Sequence, residues 1–215
     1  MSDLSLRYLL NVPSKRADSE AMPLVVMMHG RGADMHDLAD LAPMLDTPRG
    51  CRFVFPNAPK PFEAYPGMTV GWTWFEGWPP VPESMAESRA VLLRFLGEIM
   101  TKYPSTSLIL SGFSQGAMMA LDAGLRTEQK VAGIVAMSGG VYEVDLPDLK
   151  RHAGLPVFIA HGSVDDVVPV NYARRARHVL EEGGLDVEYH EYPMSHQVVQ
   201  EEAMAVREFI AKCTA

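Results

Sequence analysis

Ser114 lies in Gly112-Phe113-Ser114-Gln115-Gly116, a G-x-S-x-G pattern entered by the apolar run Leu108-Ile109-Leu110 and left by a helical pattern. A serine at the tip of a sharp strand-to-helix turn is held in a strained backbone conformation, with its hydroxyl raised over the strand end and in front of the helix N-terminus. The five-letter spelling recurs by chance, but its context is more specific. The charge-free strand suits a parallel strand covered on both faces. Ala117, Ala120, Leu121 and Gly124 then form a small-residue stripe at helical spacing, able to lie close on a sheet. This reads as a nucleophile elbow, and its chemistry is attack of a serine hydroxyl on a carbonyl carbon.

A serine hydroxyl is a weak nucleophile near neutral pH, so it needs a base within hydrogen-bond reach, and the base needs an acid to orient it. Elbow enzymes supply these in the chain order serine, acid, histidine, which leaves His152, His161, His178, His190 and His196. His161 ends a strand with no acid before it in a matching loop. His178 falls inside a helix and His190 inside a strand, where surface or packed roles are commoner. His196, in Pro193-Met194-Ser195-His196 after the last strand, is placed to swing over the elbow. The acid is expected in the preceding strand-end loop, His161-Gly162-Ser163-Val164-Asp165-Asp166-Val167-Val168-Pro169. Adjacent side chains point apart, so one carboxylate orients the base while the other serves the helix start near Pro169. Spacing does not choose between Asp165 and Asp166. The oxyanion of a tetrahedral intermediate needs two backbone N–H donors. Gln115, following the nucleophile, supplies one, and the glycine turn after Met28-His29 supplies the other at Arg31.

These loops require strands that end on a common edge. Leu4, Leu6, Tyr8 and Leu10 alternate as an edge strand, followed by a surface loop over Ser14 to Glu20. Buried-strand runs follow at Pro23 to His29, Arg52 to Pro56, the elbow strand, Val131 to Met137, Leu155 to Ala160 and Asp186 to Tyr192. Helical patterns cover Asp37 to Leu45, Glu83 to Tyr103, the stretch after the elbow, Asn171 to Glu182 and Gln197 to Lys212. The alternation predicts an α/β fold of the α/β-hydrolase kind: a mostly parallel, doubly wound sheet of about seven strands with helices on both faces and no separate cap domain, in one domain over residues 1–215. In such sheets the working residues sit beyond the strand carboxyl ends. Asn57 to Pro82 reads as a long irregular segment holding all three tryptophans.

The chain has 215 residues, 47% hydrophobic, which is enough for one sizeable core. Its net charge of −8 offers no basic field, so nucleic acid and stable membrane association are not expected. No signal peptide or spanning segment is legible, which predicts a cytoplasmic protein. Cys51 and Cys213 form no C-x-x-C pair and read as free thiols in a reducing compartment. A dinucleotide fingerprint at Gly30-Arg31-Gly32 fails because Met35 stands where the third glycine belongs. No cofactor or metal is expected.

Five ordered motifs carry a family resemblance: His29-Gly30-Arg31-Gly32-Ala33-Asp34, Phe55-Pro56-Asn57-Ala58-Pro59, the elbow, His161-Gly162 with Asp165 and Val168-Pro169, and Tyr192-Pro193-Met194-Ser195-His196. From about Leu24 to Ile210 the chain resembles the phospholipase/carboxylesterase family, which includes small bacterial carboxylesterases and acyl-protein thioesterases. The resemblance implies Ser114 as nucleophile, Asp165 as acid, His196 as base, and Arg31 and Gln115 as oxyanion donors. Arg31 stands where the thioesterases often carry leucine, which favours the carboxylesterase branch. The expected activity is therefore hydrolysis of neutral short- to medium-chain carboxylic esters through an acyl-serine, with a small-molecule ester as substrate. A thioesterase or lysophospholipase with the same triad is the alternative. A binding protein that kept the fold and lost catalysis is a third reading, opposed by the ordered Ser, Asp and His. Trp72, Trp74, Phe75 and Trp78, with Met194 beside the base, are expected to line the acyl site.

Overall fold

The computed structural model describes residues 4–13, 16–17 and 19–215, so the expected Ser14 to Glu20 loop lies partly outside the described residues. Seven strands form the main sheet: β1 (Tyr8–Asn11), β2 (Met22–Met28), β3 (Arg52–Pro56), β6 (Ser105–Phe113), β7 (Val131–Met137), β8 (Pro156–Gly162) and β9 (Asp186–Tyr192). A separate antiparallel hairpin pairs β4 (Lys60–Tyr65) with β5 (Met68–Thr73). The helices are α1 (Ala42–Leu45), α2 (Pro82–Lys102), α3 (Gln115–Gly124), α4 (Asn171–Glu182) and α5 (Gln200–Cys213).

The strand order is β1-β3-β2-β6-β7-β8-β9, parallel throughout except for β1, which pairs antiparallel with β3 at the edge. The chain moves outward from β2 to β3 and then crosses back to β6, so the loops after β2 and β6 diverge from neighbouring strands. A crevice opens at such a switch point, beyond the strand carboxyl ends. This is the doubly wound sheet the sequence predicts.

Strand side chains alternate between faces, and each face meets its own helices. Leu24, Val26, Met28, Leu108 and Leu110 pack with α2, α3 and α4 in one buried cluster. Val25, Met27 and Ile109 pack with α1 and α5 in the other. Burial on both faces is why these strands read as unbroken apolar runs.

Two expectations are corrected. The Asp37 to Leu45 helix is reduced to a 3-10 turn at Ala39–Leu41 and the single turn α1. The irregular Asn57 to Pro82 segment contains the β4–β5 hairpin. Its strands are mostly exposed and carry Pro61, Gly71 and a Pro66-Gly67 turn, so neither a buried run nor a clean alternation marks them.

In the first turn of α5, Glu202 is fully buried and no hydrogen bond of ordinary geometry reaches either carboxylate oxygen. Burial pushes its carboxyl up to about 8, opposed weakly by the Val199 N–H. A carboxyl raised in the folded state favours folding fully below its unfolded value, and that contribution is lost as pH rises through the folded value. Urea unfolding is therefore expected to show stability falling between about pH 4.5 and pH 8, by on the order of 4 kcal/mol from this group. In Glu202→Gln that component of the slope should vanish; an unchanged slope would remove Glu202 as its source.

Candidate active site

Ser114 joins β6 to α3 with φ 56° and ψ −118°, a left-handed backbone rare for a residue with a side chain. The elbow forces Gly112 and Gly116 together: a Cβ on Gly112 would overlap the Gly116 backbone, and one on Gly116 would overlap the Met28 carbonyl. The Ser114 N–H donates to the Met137 carbonyl at 2.9 Å, tying the tip to the end of β7. Ser114 has no capping hydrogen bond to the helix behind it. The Gln115 N–H stands in the first turn of α3, where amides have no intrahelical acceptor.

The turn after β2 is fixed from several sides. Ala58 N–H donates to His29 Nε2 at 3.0 Å, so the ring hydrogen lies on Nδ1, which is 2.7 Å from the Gly30 carbonyl. Burial holds the His29 ring below the usual histidine value. Met35 N–H donates to Asn57 Oδ1 at 2.8 Å, and the Gly32 and Trp72 amides exchange bonds with the Trp72 and Ala33 carbonyls, each at 2.8 Å. The turn's own bonds pass through Gly32 and Ala33 and bypass the Arg31 N–H. The Arg31 side chain leans over the Phe62 ring at 4.8 Å. A Cβ on the preceding Gly30 would lie 3.5 Å from Ser114 Cβ, which places this turn directly beside the nucleophile.

His196 Nδ1 lies 2.7 Å from Asp165 Oδ2. The carboxylate accepts, so Nδ1 donates and Nε2 is left for another partner. Asp165 Oδ1 accepts from the amides of Val167 (2.9 Å) and Val168 (2.8 Å). Burial alone would raise this carboxyl, but the bonds from His196, Val168 and Val167 outweigh it and hold the group below its ordinary value. Asp166 is exposed. The loops after β8 and β9 are stitched together by Ser163 N–H to the Tyr192 carbonyl (2.8 Å) and Val164 N–H to the Met194 carbonyl (3.2 Å). The Phe113 ring, one residue before Ser114, lies 4.7 Å from the His196 ring.

The aromatic segment is corrected in part. Trp74 and Phe75 are fully buried and line no open surface. Trp74 donates from Nε1 to the His29 carbonyl at 2.9 Å, and its own carbonyl accepts from Ser88 Oγ. Trp72 is half-buried against Ala33, and Met194 is buried in the base loop. Trp78 alone of the five reaches a groove, of about 320 Å³, together with Met118, Tyr142, Val144 and Tyr172. Its ring lies 5.1 Å from that of Tyr172. Met118 is in the first turn of α3, its N–H 3.3 Å from the Ser114 carbonyl, so the groove adjoins the elbow. A larger cavity of about 790 Å³ lies at the opposite end of the sheet, among Met22, Ser105 and Cys213.

Sequence reading missed two supports. The Gln115 side chain accepts from Thr73 Oγ1 and Trp74 N–H (both 3.0 Å) and donates to the Phe75 carbonyl (2.9 Å), pinning the aromatic segment to α3. Tyr172 opens α4 with no motif around it to announce its place in the groove.

The protein is an ester-hydrolysing serine hydrolase with an α/β-hydrolase fold. Over residues 12–214 it matches the Phospholipase/Carboxylesterase family model, and the chain belongs to that family. It is 31% identical to acyl-protein thioesterase 1 of Mycosarcoma maydis, over 94% of this chain and 95% of that one. The corresponding enzyme of Neurospora crassa is 29% identical over 99% and 94%. Among solved structures, esterase PE8 is 31% identical with a TM-score of 0.82, covering 99% of this chain and 100% of its own. A carboxylesterase from Mesorhizobium loti shares the fold at a TM-score of 0.80 and 21% identity, over 98% and 97%.

Proposed function

We propose that the protein is a carboxylesterase that hydrolyses neutral short- to medium-chain esters through an acyl-enzyme on Ser114. The observation that carries this is the left-handed Ser114 beside a buried Asp165–His196 pair. With Nδ1 committed to Asp165, His196 Nε2 takes the Ser114 proton as Oγ attacks the ester carbonyl. The Arg31 and Gln115 amides receive the developing oxyanion, the second reinforced by the N-terminal dipole of α3. His196 then returns the proton to the leaving alcohol. Water repeats the sequence on the acyl-serine, freeing the acid and the enzyme.

The groove at Trp78 and Tyr172 supports the acyl-chain part of this reading. Its walls are largely apolar, and about 320 Å³ lies at the small end of ligand sites. Apolar walls discriminate weakly, by about 1 to 3 kcal/mol per methylene at most, so broad tolerance of short and medium chains follows. In a series of p-nitrophenyl esters, Trp78→Ala and Tyr172→Ala are expected to move the preferred chain length while acetate turnover stays within about tenfold of wild type. Trp74→Ala should instead lose about 3 to 5 kcal/mol of stability, as removal of a fully buried tryptophan does. An unchanged chain-length profile in both groove variants would remove the groove from the acyl site.

The similarity to acyl-protein thioesterase 1 of Mycosarcoma maydis favours a second reading, thioester or lysophospholipid hydrolysis by the same residues. Parallel turnover of p-nitrophenyl esters, acyl-CoA thioesters and lysophospholipids separates the two. Higher kcat/KM on thioesters would replace the carboxylesterase reading.

A further inference from the structure

His161, at the end of β8, is fully buried, and the mechanism above makes no use of it. Its Nε2 lies 2.7 Å from the Val168 carbonyl oxygen and 3.3 Å from Asp165 Oδ2. Both neighbours can only accept, so Nε2 carries the hydrogen, donating it to Val168 and turning its positive end toward the carboxylate. The other ring nitrogen, Nδ1, is buried with no partner. A stranded buried polar atom is unfavourable, and an apolar side chain could fill this space without one. What the imidazole adds over an apolar group is the bond from Nε2.

We propose that His161 is a positioning residue for the triad acid: by holding the Val168 carbonyl and facing Asp165 Oδ2, it fixes the carboxylate that orients His196. The proposal rests on the reading of Asp165 as the acid. Val168 is held at both ends, its carbonyl by His161 and its N–H by Asp165 Oδ1 at 2.8 Å. The His161 ring, the Val168 peptide and the Asp165 carboxylate therefore close a small circuit that sets the shape of the loop. Oδ2 is left with His196 Nδ1 as its direct donor and the His161 N–H dipole as its second positive neighbour. As His196 gains a proton during the reaction, this arrangement keeps the carboxylate in place and ionised.

The charged groups around the ring are few. Asp165 faces it from its own loop, with His196 behind Asp165 in the loop after β9. Across β9 its register partner is Glu191, whose carboxylate is taken by Arg174 of α4 and by the Tyr189 hydroxyl. Glu191 is thus engaged elsewhere, and Asp165 is the acidic group that His161 serves.

Removing the N–H should leave the Asp165 charge less compensated, so that it holds protonated His196 more tightly. For His161→Phe, kcat on a p-nitrophenyl ester is expected to fall roughly tenfold with KM within about twofold, and the rising limb of the rate–pH profile to move about half a unit to higher pH. His161→Gln, whose amide nitrogen reaches nearly as far as Nε2, should restore the wild-type limb and most of kcat. Asp165→Asn, assayed alongside, separates the two claims. If it loses about 10⁴ in kcat while folded His161→Phe keeps the wild-type limb, the positioning role is wrong and the acid assignment stands. If Asp165→Asn stays active, the acid assignment falls first and the positioning role with it. Should His161→Phe not fold, a long-range ¹H–¹⁵N spectrum of the wild-type protein decides. Hydrogen on His161 Nε2 is the expected result, and hydrogen on Nδ1 overturns the proposal.

Discussion

Ser114→Ala is expected to give a folded protein whose ester turnover is lower by on the order of 10⁶ in kcat, leaving only what substrate binding and the oxyanion donors sustain. The size of the loss follows from the site. Asp165 and His196 are already committed to one another, so without an Oγ to deprotonate, the pair has no productive proton transfer to perform. Thermal unfolding should change little, because alanine at φ 56° carries much the same backbone strain as serine there, and Ser114 makes no capping bond that would be lost. Covalent labelling by a fluorophosphonate should stop in the variant, and in the wild type the added mass should map to the peptide containing Ser114. Substantial turnover in folded Ser114→Ala, or label on another residue, would place the nucleophile elsewhere.

The parts of the fold that the sequence makes legible are those with a simple physical signature. A strand buried on both faces has to be apolar without interruption, so β2, β6, β7 and β8 stand out from composition alone. The β4–β5 hairpin has no such signature because its residues are mostly exposed, and the proline and glycine that shape it mimic a loop. The α1 region failed for the opposite reason. Leu38, Leu41, Ala42 and Leu45 have helical spacing, but the chain spends them on a turn of 3-10 helix and a single α turn that together cover the sheet face.

The site was readable wherever chemistry fixes both a residue type and its place at a strand end, as at Ser114 and His196. It was unreadable where a residue acts through packing in three dimensions. Trp74 and Trp78 are four positions apart and look alike in sequence, yet one is fully buried beneath the oxyanion turn and the other stands in the groove. Side-chain direction in an irregular segment has no period from which to infer it. His161 was set aside as lacking an acid before it in the chain, when its partner lies four residues after it.

The choice between the adjacent carboxylates, left open by spacing, gives the second large effect: Asp165→Asn is expected to cost about 10⁴ in kcat, and Asp166→Asn little. The environment dictates how the new amide must sit. The Oδ1 site faces two donors, the Val167 and Val168 amides, and only the amide oxygen can accept from both. The NH₂ group is thereby forced to the Oδ2 site, 2.7 Å from His196 Nδ1 in the native arrangement. Two donors cannot face each other, so the neutral imidazole must move its hydrogen to Nε2 and present a lone pair at Nδ1. That tautomer cannot accept the Ser114 proton. KM should change less than kcat, since no substrate contact is removed, and a long-range ¹H–¹⁵N spectrum of His196 should show the hydrogen exchanged between ring nitrogens. Asp166 is exposed, so Asp166→Asn alters a solvated charge and should leave kcat within about threefold. The reverse ranking of the two variants would move the acid to Asp166. Small losses in both would mean that neither carboxylate orients the base, and the 2.7 Å bond from His196 would have to be read as structural alone.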